Sequence, residues 1–262
     1  MKSIITLTTD FGTKDGFVGQ MKGVILGINP LVNIIDVTHD ITPYAVGEAA
    51  IVVKGVIERF QLPSIHIAVV DPGVGGQRKS IAIRWADTYL IGPDNGIFSY
   101  LLKEKINYEA RCIDNPDFTA PIKSATFHGR DIFAPAAAWL SAGSDFEKIG
   151  PVIPEILKLD MVEIEKSGHQ LKGQIIHVDR FGNLITNIEG RDINYTEIEI
   201  DCGEISIKGL SNFYSQSNPN SPIALINSFD LLEISLFQDD ASKKFGAKVG
   251  DEVRVMVKSD SL

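Results

Sequence analysis

Along the first 150 residues the apolar positions fall into short unbroken runs separated by longer stretches of helical spacing. The runs at 4–9, 32–37 and 65–70 are rich in β-branched residues and show no sustained polar alternation, the pattern of strands covered on both faces. Between them, residues 18–26 repeat apolar side chains every three or four positions and stop at Gly27 and Pro30. Residues 43–60 do the same through Val46, Ala49, Val53 and Ile57, with Pro43 at the expected helix start. Runs at 81–84 and 89–92 predict a hairpin turning at Ala86 and Asp87. Pro93, Asp94, Asn95 and Gly96 predict a turn into a helix from Ile97, and 132–142 is an apolar helix suited to packing on a sheet. Strands alternating with helices give an α/β domain with a largely parallel sheet.

The pattern changes after Pro151 and Pro154. A stretch of mixed charge follows, and then only short strand-like runs separated by turn residues: 172–178, 185–188, 197–200, 205–207, 223–226, 231–236 and 252–257. No long helical pattern lies among them, which predicts a small all-β domain, a sandwich or a barrel. The expected organisation is therefore an N-terminal domain over 1–153, a linker over 154–170 and a C-terminal domain over 171–262. No internal repeat or low-complexity tract interrupts it.

Composition acts mainly by exclusion. With 44% apolar and 23% charged residues the chain can bury an ordinary core. A net charge of −9, from 25 basic and 34 acidic residues, argues against a nucleic-acid partner. Cys112 and Cys202 lie far apart without motif partners, so neither a disulfide framework nor a structural zinc is expected. An acid is reached at Asp10 before a signal-peptide core could form, and no apolar run approaches ~18 residues. A cytoplasmic protein without a membrane partner is the expectation.

Candidate chemistry gathers where strands end. Asp10 and Asp71 each follow a strand, at the carboxyl edge where open α/β sheets place ligands. Gly73, Gly75 and Gly76 follow Asp71, and Arg78 lies just beyond; the turn is either a polar site or a plain tight turn with a surface ion pair. His128 precedes an apolar helix, where a helix dipole lowers proton affinity; it is either functional or a cap, with Arg130 and Asp131 as a solvated pair. In the second domain, Asp179-Arg180-Phe181-Gly182-Asn183 and Asn227-Ser228-Phe229-Asp230 each join two strands. An aromatic ring with flanking amides suits a flat heteroaromatic ligand, although Asn, Asp and Gly are also ordinary turn residues.

Several familiar signatures are absent. Gly73-Val74-Gly75-Gly76 is no dinucleotide fingerprint, because Arg78 occupies the third glycine position and a hairpin follows. There is no P-loop and no G-x-S-x-G elbow. Asp10-Phe11-Gly12 stands without the other kinase motifs. His39 with Asp40, His128 with Asp131 and His177 with Asp179 each offer two ligands at no metal-binding spacing, so no metal is expected.

Six segments together, TTDFG (8–12), VVDPGVGG (69–76) with Arg78, GPDNG (92–96), TFHGRDIFAPAAA (126–138), DRFGNLITN (179–187) and NSFDLLEI (227–234), resemble the S-adenosyl-L-methionine (SAM) hydroxide adenosyltransferases, the adenosyl-forming SAM hydrolases related to fluorinating and chlorinating enzymes. The resemblance is co-linear over nearly the whole chain. It implies an α/β N-terminal domain, a C-terminal β-barrel and a homotrimer with sites between subunits. The implied reaction is SAM plus water giving adenosine and L-methionine, with SAM as substrate and no cofactor. It also implies that Asp71, Arg78 and His128 surround the attacking water, and that Asp10 accepts the ribose hydroxyls. Asn95, Asp179, Phe181, Asn183, Ser228 and Glu233 match binding positions. Two residues depart from the family pattern: Asp230 stands where Gly is common, and Asp240 where an Asn meets the adenine edge. A carboxylate cannot donate to a ring nitrogen, so backbone groups near Ala241 are the expected substitute. A halogenase of the same fold and a non-catalytic SAM or adenosine sensor are the alternatives; Arg78 and His128 favour water over halide.

Overall fold

A computed structural model describes residues 3–60, 63–103, 107–193, 197–216, 218 and 220–257. The chain divides into two compact units, 1–159 and 160–262.

The first unit is built on β1 (Ile4–Thr9), β2 (Asn33–Thr38), β3 (Ser64–Val69), β4 (Ser80–Trp85), β5 (Thr88–Pro93), β6 (Tyr108–Cys112) and β7 (Val152–Ile153). They form one sheet in the order β2-β1-β3-β5-β4-β6-β7. Every residue of β3 is buried, as its unbroken apolar run requires. The faces are covered separately. Ile5, Leu7, Ile65, Ile67 and Val69 pack under α1 (Phe17–Ile28) and α4 (Ala134–Ser141). Ala68, Val70, Ile81, Ile83 and Leu90 pack under α2 (Val46–Ile57) and α3 (Ser99–Leu102). The sheet is mixed rather than largely parallel. β2, β1, β3 and β5 run parallel, whereas β4, β6 and β7 join antiparallel. The cause is local: β4 and β5 are joined by Ala86 and Asp87 alone, with Ala86 at φ 51°, and a two-residue connection can only reverse the chain.

Two helices differ from the sequence expectation. α2 begins at Val46, not Pro43, because Tyr44 turns the chain at φ 69°. The helix expected from Ile97 is only the single turn α3. α4 is preceded by a π-type turn over Gly129–Phe133.

His66 lies on β3 at 2% exposure, with Nδ1 2.7 Å from the Thr6 hydroxyl and Nε2 2.8 Å from that of Ser64. Burial pushes its pKa down to about 4. The unfolded chain, at the ordinary value near 6.5, takes up this proton first. Stability supplied by the neutral ring is therefore complete above pH 6.5 and lost as pH falls from 6.5 towards 4, about 3 kcal/mol in all. Urea unfolding of the wild type and His66→Asn checks this: the gap between them should narrow steadily from pH 7 to pH 4.5, and a constant gap contradicts it.

The second unit comprises β8 (Glu165–Ser167), β9 (Gln170–Val178), β10 (Leu184–Glu189), β11 (Ile198–Cys202), β12 (Ile205–Lys208), β13 (Pro222–Ile226), β14 (Leu231–Leu236) and β15 (Glu252–Val257), with one short helix, α5 (Ala241–Phe245). The strand order is β12-β11-β15-β9-β10-β14-β13, all antiparallel, with β8 added on β9. The sheet is barrel-like and nearly closed: beyond β12, the Ser211 N–H donates to the Ala224 carbonyl of β13 at 2.7 Å. Alternation in β11, β12 and β15 buries one side chain in two on the shared core, as one-sided strands demand.

Candidate active site

The order of connections in the first unit fixes where its site lies. From β1 the chain crosses through α1, on one face, to β2. It returns through α2, on the other face, to β3 on the far side of β1. The carboxyl ends of β1 and β3 thus flank the point where strand order reverses, and Thr9 stands in register with Val69. Open α/β sheets bind ligands at such a point. Asp10 follows β1 and Asp71 lies two residues beyond β3. Both line a cavity of about 320 Å³ with Phe17, Tyr44, Phe127 and His128.

Arg78 joins two of these groups. Its Nε lies 3.0 Å from each Asp71 oxygen, and one terminal nitrogen also donates to that carboxylate. The same nitrogen reaches His128 Nδ1 at 2.7 Å, while the other donates to the Ser80 hydroxyl at 2.8 Å. The guanidinium sits 5.4 Å from the Phe133 ring centroid. Both charged side chains are largely buried, at 9% and 5% exposure, so this is no solvated surface pair. A guanidinium only donates, so Nδ1 of His128 accepts and the neutral ring carries its proton on Nε2. Burial, and then the positive charge of Arg78, lower the pKa of His128. The ring makes no capping bond to the helix start.

Two features bring His128 to this pair. Gly75 has φ 75°, and a Cβ there would lie 2.1 Å from the Ala125 carbonyl oxygen. The glycine turn therefore packs flush on the segment leading to His128, which only a residue without a side chain permits. Buried Asp131 holds the same segment from behind, accepting from the Ser124 N–H at 2.7 Å and from Arg130 Nε at 2.6 Å. Asp10 accepts from the Tyr44 N–H at 2.9 Å. Asn95 lies outside the cavity: its amide donates to the Val70 carbonyl at 2.9 Å and its oxygen accepts from the Ile97 N–H at 3.3 Å.

The second unit holds a separate pocket of about 600 Å³, lined by Asp179, Phe181, Asn183, Tyr214, Leu236, Phe237, Gln238 and Asp239. Asp179 shapes the turn after β9. One oxygen accepts from the N–H groups of Phe181, at 2.8 Å, and Asn183, at 2.9 Å; the other accepts from the Asn183 amide at 2.9 Å. This leaves Phe181 75% exposed, its ring presented at the pocket edge. Ser228, Glu233 and Ala241 lie outside this lining. Ser228 is exposed on the 227–230 turn, whereas Glu233 and Ala241 are buried.

Family models for the SAM hydroxide adenosyltransferase N-terminal domain and C-terminal domain match residues 5–150 and 173–254. The chain belongs to this family. It is 38% identical to a protein of Methanocaldococcus jannaschii named (R)-S-adenosyl-L-methionine hydrolase, over 97% of this chain and 95% of that one. It is 26% identical to a fluorinase of Nocardia brasiliensis, over 98% and 97% of the two chains. An uncharacterized conserved protein from Thermotoga maritima, solved by crystallography, superposes with a TM-score of 0.89 at 31% identity, covering 98% of this chain and all of the other.

Both departures from the SAM hydroxide adenosyltransferase pattern have local causes. Asp230 stands at φ 61°, a conformation natural to glycine that aspartate tolerates better than most residues. Asp240 is the N-cap of α5, accepting from the Lys243 N–H at 2.8 Å and pairing with Lys243 Nζ at 2.9 Å. Its carboxylate also packs where a Cβ on Gly182 would fall, 2.1 Å away, which ties the Phe181 turn to the start of α5. The sequence reading did not single out Phe17, Phe127, Tyr44 or Tyr214. Phe127 sits inside TFHGRD and was available as a signal; Phe11, Phe17 and Phe127 pack with ring centroids 5.2–5.9 Å apart.

Proposed function

We propose that this chain hydrolyses SAM to adenosine and L-methionine, acting in the cytoplasm as a homotrimer. The observation that carries the reading is the Asp71–Arg78–His128 cluster at the strand-order reversal, its ion pair largely buried and its histidine half-buried. The sulfonium makes ribose C5′ electrophilic and leaves as a neutral thioether. Water, with a pKa of about 16, attacks only if hydroxide character is stabilised. Arg78 supplies fixed positive charge beside that oxygen. Asp71 grips Arg78 through two oxygens and holds its orientation. His128, protonated on Nε2, orients the water by donating to it. As the C5′–O bond forms, the C5′–S pair returns to sulfur and a proton leaves the water; atoms and charge balance as SAM cation plus water giving adenosine, methionine and a proton.

Asp10 keeps acceptor capacity beyond its Tyr44 contact and would take the ribose hydroxyls, a task suited to a carboxylate. Phe181 would stack on a flat ring, and Asn183 and Ser228 would read polar groups. Asn95 acts through the turn it ties to β3. The C-terminal pocket serves the same substrate. The two groups of residues meet between subunits, the arrangement that the family resemblance implies.

Incubation with SAM, with and without chloride or fluoride, tests the reaction. Chromatography should show adenosine and methionine in equal amounts and unaffected by halide. A 5′-halo-adenosine product would move the chain to the halogenating branch, and binding without any product would make it a sensor.

A further inference from the structure

Thr9 and His39 are buried, at 0% and 6% exposure, and the chemistry above uses neither. A strand irregularity brings them together. β1 and β2 pair in register from Ile4 with Asn33 to Leu7 with Asp36, and pairing resumes at Thr8 with Thr38, so β2 carries one extra residue. Such a bulge re-aims the chain around it. Here the first residue beyond β2, His39, comes against the last residue of β1, Thr9. The ring Nδ1 lies 2.9 Å from the Thr9 hydroxyl.

The contact continues in both directions. The Thr9 hydroxyl oxygen accepts from the Phe11 N–H at 3.3 Å. On the far side of the ring, Nε2 lies 3.0 Å from Asp36 Oδ1, and the other Asp36 oxygen accepts from Lys22 Nζ of α1 at 2.5 Å. One proton arrangement uses every group. Nε2 carries the ring proton, facing the carboxylate; Nδ1 accepts from the Thr9 hydroxyl, whose oxygen is left to accept from Phe11. His39 also holds the turn through its backbone: its carbonyl accepts from the Gly12 N–H at 2.7 Å, where Gly12 stands at φ 64°. Two further bonds join the same segments. The Thr9 carbonyl accepts from the Ile41 N–H at 3.4 Å, and the Asp10 carboxylate from the Tyr44 N–H at 2.9 Å. Residues 9–12 and 39–44 are thus laced together, and Asp10 lies within the lacing.

We infer that Thr9 and His39 are positioning residues that aim the Asp10 carboxylate at the two ribose hydroxyls, and so set the preference for a ribonucleoside over its deoxy counterpart. Asp10 and Phe11 line the cavity, whereas Thr9 and His39 lie outside that lining. The inference rests on the proposed role of Asp10 and goes beyond it by naming what holds the carboxylate. Paired bonds from neighbouring hydroxyls need both carboxylate oxygens placed together. A small tilt of the turn spoils both bonds and leaves the contacts to the base untouched.

The test compares the affinities of adenosine and of 2′,3′-dideoxyadenosine, which lacks both hydroxyls, by titration calorimetry. The proteins are wild type, Asp10→Ala, Thr9→Val, Thr9→Ser, His39→Ala and the double variant Thr9→Val with His39→Ala. Wild type should prefer adenosine, and Asp10→Ala should abolish the preference. Thr9→Val and His39→Ala should each cut it about fivefold, the worth of one neutral hydrogen bond, through weaker binding of adenosine alone. Thr9→Ser keeps the hydroxyl and should keep the preference. The double variant should lose no more than the larger single loss, because both lesions act through one bond. An equal weakening of both ligands marks a general loosening of the fold and overturns the inference. So does an unchanged preference in Thr9→Val, or a loss in Thr9→Ser as large as in Thr9→Val. No preference in wild type, or one that Asp10→Ala leaves in place, overturns the ribose reading of Asp10 and the inference with it. Should His39→Ala fail to fold, Thr9→Val, nearly the shape of the native residue, decides.

Discussion

Arg78→Ala should lower kcat at least a hundredfold while SAM affinity changes far less. Removing one preorganised stabiliser of developing negative charge typically costs 10²–10³ in rate, about 2.7–4 kcal/mol of transition-state binding. Arg78 has the features that put it at the upper end. Its side chain is 9% exposed, two of its nitrogens are fixed by Asp71, and a third interaction reaches His128. Little reorganisation is needed when the oxygen acquires charge, so the loss falls on kcat rather than on KM. Asp71 would be left as a buried carboxylate without its cation, which adds to the defect. A second readout separates this from general damage. In the wild type, activity falls at acid pH as His128 takes a second proton and the cluster gains charge. Burial and Arg78 both hold that pKa below its ordinary value. Without Arg78 one of these two effects is gone, so the acid limb of the residual activity should move to higher pH. Stopped-time assays between pH 4.5 and 8 would show it. Near-normal kcat, or an acid limb that stays in place, removes Arg78 from the chemistry.

The half of this site that comes from β1 and β3 was legible in the sequence for a simple reason. A strand buried on both faces leaves an unbroken apolar run, and whatever acid follows it stands at the sheet's carboxyl edge. Asp10 and Asp71 are placed by that rule alone. The link to His128 was legible only through the family resemblance and not from local pattern, because it depends on Gly75 lying flush against Ala125, fifty residues away in sequence. The helix start at Val46 was misplaced because proline at a first turn is only a preference, and the positive φ of Tyr44 overrides it. β6 and β7 escaped because they are short and partly polar: on β6, Glu109 pairs with Arg84 and with Arg111 of its own strand, which hides the apolar alternation. Glu233 was visible as a motif position, but Tyr214, whose phenol donates to it at 2.9 Å, lies nineteen residues upstream in a segment with no strand or helix signal.

Mixing two inactive variants should restore about a quarter of the wild-type activity. The candidate residues fall on separate units: Asp10, Asp71, Arg78 and His128 within 1–159, and Asp179, Phe181, Asn183 and Ser228 within 160–262. If each site of a cyclic trimer takes its first half from one subunit and its second from the next, lesions can be separated by chain. An Arg78→Ala chain keeps a sound second half, and an Asn183→Ala chain keeps a sound first half. Asn183 suits the role because it is buried at 5% exposure and its amide completes the Asp179 turn, so its loss unsettles the whole second cluster. At equal mixing, half of the first halves and half of the second halves are sound, so about one site in four is intact. If instead each site lies within one chain, every site carries one lesion and nothing returns. The measurement is adenosine release after the two proteins are unfolded together and refolded, with mixed trimers verified by native mass spectrometry. Recovery near a quarter supports shared sites. Mixed trimers without recovery reject them and leave the chemistry at Arg78 untouched, and a species other than a trimer rejects the assembly itself.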